Sequence, residues 1–184
     1  MTYRGQYYQL ENSTVVPRIG GEDGRMHPPL YFGGASSAGE EVAATEADVQ
    51  LFWGEPREQI AERIDRLRTL EQTLGREHAP LQFGLRITTF VRDAAEEAWR
   101  DAETMGAELA ERGEVLDDNL YTAPGTVGTA GAGTTWLVGS PQDVADALNK
   151  YRDLGIDHFI LSDTPYEREI VRQGDQLLPL LSTN

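Results

Sequence analysis

Four times along this chain a short β-prone run is followed by a helical one, and that alternation limits what it can fold into. The β-prone runs are residues 30–32, 49–53, 81–91 and 158–162. Consecutive βα units build a parallel sheet with helices packed outside it, because the crossover returns each strand in the same direction. An extra helix precedes the last strand. The helix boundaries carry their own signals. Pro28 and Pro29 hold the first strand's entry extended, Gly33 and Gly34 turn the chain sharply, and Ser37 with Glu40 reads as a capping box with Ser37 as N-cap, opening a helix to about Ala47. Pro56 opens a second helix and Gly75 stops it, with Ile60, Ile64, Leu67 and Leu74 on one face. The third helix spans about 93–112, with Ala98, Ala102, Met105 and Leu109 on one face. Ser140-Pro141 with Asp143 opens the fourth, whose buried face is Val144, Leu148, Tyr151 and Leu154, and Gly155 ends it. Thr164 with Glu167 opens the last, which runs to about Leu181.

Four units suit half of an eight-stranded barrel. A closed barrel needs roughly 250 residues, and this chain has 184. An open four-stranded sheet leaves two edges in need of a partner or a cover. The fold is therefore α/β, as either a small doubly wound domain or a (βα) half barrel with another half to find. Two stretches stand outside the alternation. Residues 1–27 form a β-rich and loop segment, in which two β-prone runs holding Tyr7, Leu10, Val15 and Val16 flank a turn at 11–13. Residues 113–135, rich in glycine and threonine, read as a flexible loop within the domain 28–184, either a lid or a solvated excursion.

The formal charge of −15 argues against nucleic acid and anionic membrane as partners. With no cysteine, no apolar run long enough to span a membrane and no apolar core near Met1, the expected location is cytoplasmic. His27, His78 and His158 show no metal spacing. Chemistry concentrates instead at Gly34-Ala35-Ser36-Ser37. A helix start with free N–H groups, two hydroxyls and flanking glycines can hold a phosphate, although a capped turn with no ligand has the same pattern.

Read in order, several motifs resemble the luciferase-like, flavin-dependent monooxygenases, and within them the alkanesulfonate monooxygenase branch. They are Pro28-Pro-Leu-Tyr-Phe-Gly-Gly34, Ala35-Ser-Ser-Ala-Gly-Glu40, Trp53-Gly-Glu-Pro56, Phe83-Gly-Leu-Arg86, Val91-Arg92, Glu97-Ala-Trp99, Gly131-Ala-Gly-Thr134, Leu137-Val-Gly139, Leu154-Gly-Ile-Asp157 and Leu177-Leu-Pro-Leu-Leu181. The resemblance implies strands five to eight of a TIM-barrel-type fold. It implies a cofactor, reduced FMN supplied by a separate flavin reductase, which with oxygen oxidises a small-molecule substrate. It implies an amino-terminal half barrel, or a second copy of the chain, as partner. It places the FMN phosphate at Gly34, Ala35, Ser36 and Ser37. Arg86 matches an active-site arginine that can hold an anionic substrate or stabilise charge developing on oxygen; a barrel-interior ion pair is the alternative for it. Trp53, at a strand end, can wall the flavin or substrate pocket, or serve as a core aromatic.

Three departures weigh against a sulfonate substrate. Thr88 stands where the branch has a histidine. There is no arginine between Gly113 and Tyr151, with Thr129 near the place expected for one. Ser162-Asp-Thr-Pro165 replaces a Ser-x-Tyr-Pro pattern, with Tyr166 displaced by two residues. The competing reading is a non-catalytic, flavin-binding or structural relative. Asp163 reads as either a strand-end catalytic group or part of the last helix's cap.

Overall fold

A computed structural model describes residues 1–14, 16, 27–109, 113–122, 135–163 and 166–181. The chain divides into two compact units, Met1–Leu30 and Tyr31–Asn184.

In the first unit, β1 (Tyr3–Arg4) pairs antiparallel with β2 (Gln9–Leu10), in register Tyr3 to Leu10. The turn lies between them, closed by the Gly5 N–H donating to Tyr8 O at 2.9 Å. This corrects the turn expected at 11–13. Asn12, at φ 51°, belongs instead to a second closure, where the Met1 amino group donates to Ser13 O and Ser13 N–H donates to Met1 O.

The second unit carries the βα alternation. β3 (Tyr31–Phe32), β4 (Val49–Trp53), β5 (Gln82–Val91) and β9 (His158–Ser162) pair in parallel in that order, so they form a four-strand parallel sheet. Helices α1 (Ser37–Glu46), α2 (Arg57–Leu74), α3 (Ala95–Leu109) and α4 (Pro141–Asp153) follow or intervene. The last helix is α5 (Tyr166–Arg172), continuing through a π-helical turn at Gln173–Leu177 into α6 (Leu178–Leu181).

Period-two alternation assigns the sheet's faces. Phe52, Phe83, Leu85 and Ile87 are buried with Ile60 and Leu67 of α2 and Leu148 of α4 in one core. The opposite face carries Tyr31, Leu51, Trp53, Gly84, Arg86, Thr88, His158, Ile160 and Ser162, in cross-strand rows: Leu51–Gly84–His158, then Trp53–Arg86–Ile160, then Thr88–Ser162. A curled sheet makes this face concave. Tyr31 on the first strand reaches His158 on the last, with Oη 3.2 Å from Nδ1 and the rings edge to face, although β4 and β5 lie between them. The architecture is an α/β half barrel.

The outer elements differ from expectation. Residues 113–122 include an antiparallel hairpin, β6 (Val115–Leu116) and β7 (Leu120–Tyr121), and Trp136–Gly139 is a strand, β8. β8 pairs with β5 at Thr88–Val91. Thr88 also pairs with Ser162 of β9, so β8 and β9 take opposite edges of β5, and β8 continues the edge that β4 leaves after Trp53. The rest of the expected loop, 123–134 with Thr129, lies outside the described residues, as does the expected cap at Thr164.

Two helix details also change. Leu74 is 44% exposed, and Arg63 takes a place in the buried stripe of α2 beside Ile60, Ile64 and Leu67. The N-cap of α1 is Ser36, not Ser37: Ser36 is extended (φ −77°, ψ 158°) and its Oγ accepts from Gly39 N–H at 3.1 Å. The fourth helix keeps the reading, with Ser140 and Asp143 forming a reciprocal capping box around Pro141.

Candidate functional site

Parallel strands bring their carboxyl ends to one side of the sheet, where barrel enzymes place their sites. Here that side gathers the turn after β3, Trp53 at the end of β4, Arg86 and Thr88 in the middle of β5, and Ser162 at the end of β9.

The turn after β3 is built for close approach. A Cβ on Gly34 would meet the Phe32 ring and stand 3.1 Å from Gly39 Cα, and one on Gly39 would stand 3.2 Å from Gly34 Cα and from Ser36 Oγ. Glycine at both positions lets the turn fold against the first turn of α1. Ala35, Ser36 and Ser37 are exposed. The Ser36 oxygen is used as the cap acceptor, which leaves its proton to donate, and the first N–H groups of α1 have no acceptor inside the helix. Gly34, Ala35, Ser36 and Ser37 thus lie together, with a donor-rich helix start of a length that can hold an anion.

Glu40 does not complete the cap. It is 3% exposed and accepts from Arg66 Nε (2.7 Å) and Nη2 (2.8 Å) and from Arg63 Nε (3.2 Å). The Arg66 hydrogen bond, reinforced by Arg63, holds its carboxyl below the usual value in spite of burial. Arg63 Nη1 also reaches Glu55 Oε1 at 2.5 Å. The start of α1 is thereby fastened to α2 and to the turn after β4. An arginine in an apolar helical stripe is the sequence signal for such a partner, since a buried guanidinium requires a carboxylate.

That turn explains the Trp53-Gly-Glu-Pro motif. Gly54 has no room for a Cβ, which would meet Thr135 Oγ1 and stand 2.9 Å from Ile87 Cδ1. Thr135 Oγ1 donates to Gly54 O at 2.5 Å, and Tyr151 Oη donates to Glu55 O at 2.8 Å. Burial, with the Asp117 charge adding to it, pushes the Tyr151 hydroxyl well above its ordinary pKa, so it stays a donor. Trp53 is therefore held on a fixed turn. It is half-buried, with Arg86 Cζ 4.9 Å from its ring centroid, so Trp53 and Arg86 form one cation–π pair on the concave face. In the row above, Thr88 and Ser162 hydroxyls lie 3.1 Å apart, with Thr88 almost fully buried.

Asp163 is part of a structural network. It is 1% exposed, accepts from Val91 N–H and from Gln173 Nε2, both at 3.3 Å, and lies 3.7 Å from Arg92, which also pairs with Glu169. His158 is fixed between Tyr31 and Gln82 Oε1 (3.1 Å) at the opposite end of the concave face. Among the described residues no cluster of histidine and acidic side chains can hold a metal ion, and no helix is long and apolar enough to cross a membrane.

A curled parallel half sheet with a glycine turn and a helix start after its first strand places the fold in the (βα) barrel class. The profile of the luciferase-like monooxygenase family matches residues 1–158, and the chain belongs to that family. Solved structures give the same fold. A long-chain alkane monooxygenase (LadA) is 18% identical with TM-score 0.71, covering 98% of this chain and 46% of its own. A riboflavin lyase (RcaE), solved with modified FMN and riboflavin, is 17% identical with TM-score 0.69, covering 98% and 48%. An F420-dependent secondary alcohol dehydrogenase, solved with an F420–acetone adduct, is 15% identical with TM-score 0.67, covering 98% and 56%. The chain thus spans about half the length of these structures.

Proposed function

We propose that this chain is the carboxyl-terminal half of an FMN-dependent monooxygenase resembling the alkanesulfonate branch, acting on a small organic substrate. The observation that carries the proposal is the placement of the Gly34–Ser37 helix start and the Trp53–Arg86 pair at the same end of one sheet. The glycine turn fits a phosphate, and the Trp53–Arg86 cation–π pair fits an aromatic system. Reduced FMN, provided by a separate reductase, would supply the electrons that activate oxygen. This chain's residues then have three tasks. The N–H groups of the α1 start, with the Ser36 and Ser37 hydroxyls, hold the phosphate. Trp53 walls the pocket. Arg86 holds an anionic group of the substrate or stabilises negative charge growing on oxygen. Thr88 and Ser162, bonded to one another, add polarity without an acid or base that titrates near neutral pH. The remainder of the ring pocket comes from an amino-terminal half barrel or a second copy.

One observation favours a second reading. Ile160, beside Arg86 on the concave face, is 41% exposed, so the face is open where a ring would lie. A flavin-binding relative without catalysis is consistent with that.

Two variants test the phosphate assignment. Ser37→Ala should weaken FMN binding by about 1–2 kcal/mol and leave the melting temperature unchanged, because Ser37 is not the cap. Ser36→Ala should weaken FMN binding as well and also lower the melting temperature, because losing the cap costs about 1 kcal/mol of stability. Fluorescence titration with FMN, riboflavin and F420 reads the outcome. FMN affinity that ignores both serines would remove the assignment. Binding of F420 in preference to FMN would move the chain to the other cofactor found among its structural neighbours.

A further inference from the structure

Gln50 is fully buried on β4, opposite Phe32 in register, at a strand position where an apolar residue would serve packing better. Its Nε2 donates to Gly34 O at 3.0 Å and to Leu51 O at 2.9 Å, while Oε1 has no hydrogen-bond partner among the described residues. The amide orientation follows from these contacts, since the reverse assignment would set Oε1 against two carbonyl oxygens. A buried acceptor left unmatched is a cost that a methionine or leucine of similar size would avoid. The glutamine carries that cost, and its one long-range bond goes to the carbonyl of the turn that precedes α1.

That bond has a geometric consequence. Across a planar trans peptide the carbonyl and the following N–H point in opposite directions. Fixing Gly34 C=O toward the buried amide directs the Ala35 N–H away from that amide, and Ala35, Ser36 and Ser37 are exposed. Gly34 has the freedom to rotate this peptide, and its close approach to Gly39 leaves the turn no Cβ of its own to set the orientation. We propose that Gln50 is a positioning residue for an anionic phosphate monoester: it locks the Gly34–Ala35 peptide so that the Ala35 N–H joins the α1 start as a donor. This inference rests on the phosphate reading given above and adds to it the group that aims the turn.

The test compares FMN with riboflavin, which lacks the phosphate, in the full chain and in Gln50→Met. The wild type is expected to prefer FMN. The variant is expected to lose about tenfold in FMN affinity, the scale of one charge-assisted hydrogen bond, with riboflavin affinity unchanged. A variant that keeps the wild-type ratio overturns the proposal, as does one that weakens both ligands equally along with its melting temperature, which is the signature of a packing role alone. A wild type that binds both flavins equally removes the phosphate reading itself. A second measurement needs no variant. In the wild type titrated with inorganic phosphate, the Ala35 amide resonance should move together with those of Ser37 and Ala38. Movement of Ser37 and Ala38 with Ala35 unmoved overturns the role of Gln50 and leaves the helix-terminus site standing.

Discussion

Glu40 lies close enough to the α1 start for its charge to oppose an incoming anion, yet it is buried there. Arg63 and Arg66 resolve the conflict by neutralising it, because with Glu55 on Arg63 the corner holds two guanidiniums and two carboxylates. Glu40→Gln should therefore destabilise the fold at neutral pH by about 2–3 kcal/mol, less than for a fully buried pair, since Arg66 is half exposed and Arg63 keeps Glu55. The pH dependence has a definite sign. A carboxyl held below its ordinary value of 4.5 stabilises the fold above that value, and the contribution is lost as pH falls through the lowered one. Urea midpoints of wild type and variant should converge on acidification below about pH 4.5; a constant gap would show that the pair contributes nothing through charge. The residue scale also shows where sequence reading stops. Ser140 and Asp143 were legible as a cap because both partners lie within one turn and only one hydroxyl competes. Ser37 was read as the cap that Ser36 in fact provides, because each offers a hydroxyl three residues before a helical N–H. Gln50 carried no signal at all, since its meaning depends on a carbonyl 16 residues away.

At the level of elements, strand β5 organises the second unit. Its ten residues exceed what β4 or β9 can pair, and β8 fills the remaining edge at Thr88–Val91. Trp136–Gly139 was not legible as a strand because four residues beside a glycine-rich run carry too little alternation; its burial comes from Phe90, stacked on Trp136 at 4.9 Å, and from α3. The β6–β7 hairpin was hidden for a similar reason, each arm being two residues long. It is fastened by charge at its turn. Asp117, at φ 50°, accepts from Arg57 N–H at 3.0 Å, and Asp118 pairs with Arg57 and Lys150. The hydrogen bond from Lys150, followed by that from Arg57, lowers the Asp118 pKa to about 2. The anchor is complete above the ordinary value of 3.8 and is lost as pH falls toward about 2. Lys150→Met should raise the Asp118 pKa toward 3.8, read by NMR titration of its carboxyl carbon. Global stability should change little, because Asp118 is 52% exposed and solvent screens the pair. An unmoved pKa would mean that Arg57 alone sets it.

For the whole molecule, the βα alternation carried the architecture, and the chain length carried its half-barrel extent, because both follow from chain geometry rather than from particular side chains. What they could not convey is how far the half sheet closes on itself. Tyr31 and His158 tie its two outer strands together at one end, while Tyr31 is 48% and Ile160 41% exposed on the face a barrel would bury. Apolar surface of that kind favours association, and the net charge of −15 opposes it between copies. The two terms separate by salt. If a second copy covers the concave face, the solution mass measured by light scattering should rise above 20.4 kDa with protein concentration, and rise further with ionic strength as self-repulsion is screened. Ile160→Asp should reverse both trends without lowering the melting temperature, since the position is exposed in the single chain. A mass fixed at 20.4 kDa under all these conditions would exclude self-association, and a separate amino-terminal half would be the partner left to test. In that case, if the partner is less acidic than this chain, added salt should weaken the pairing or leave it unchanged, the opposite of the response of two equal negative copies.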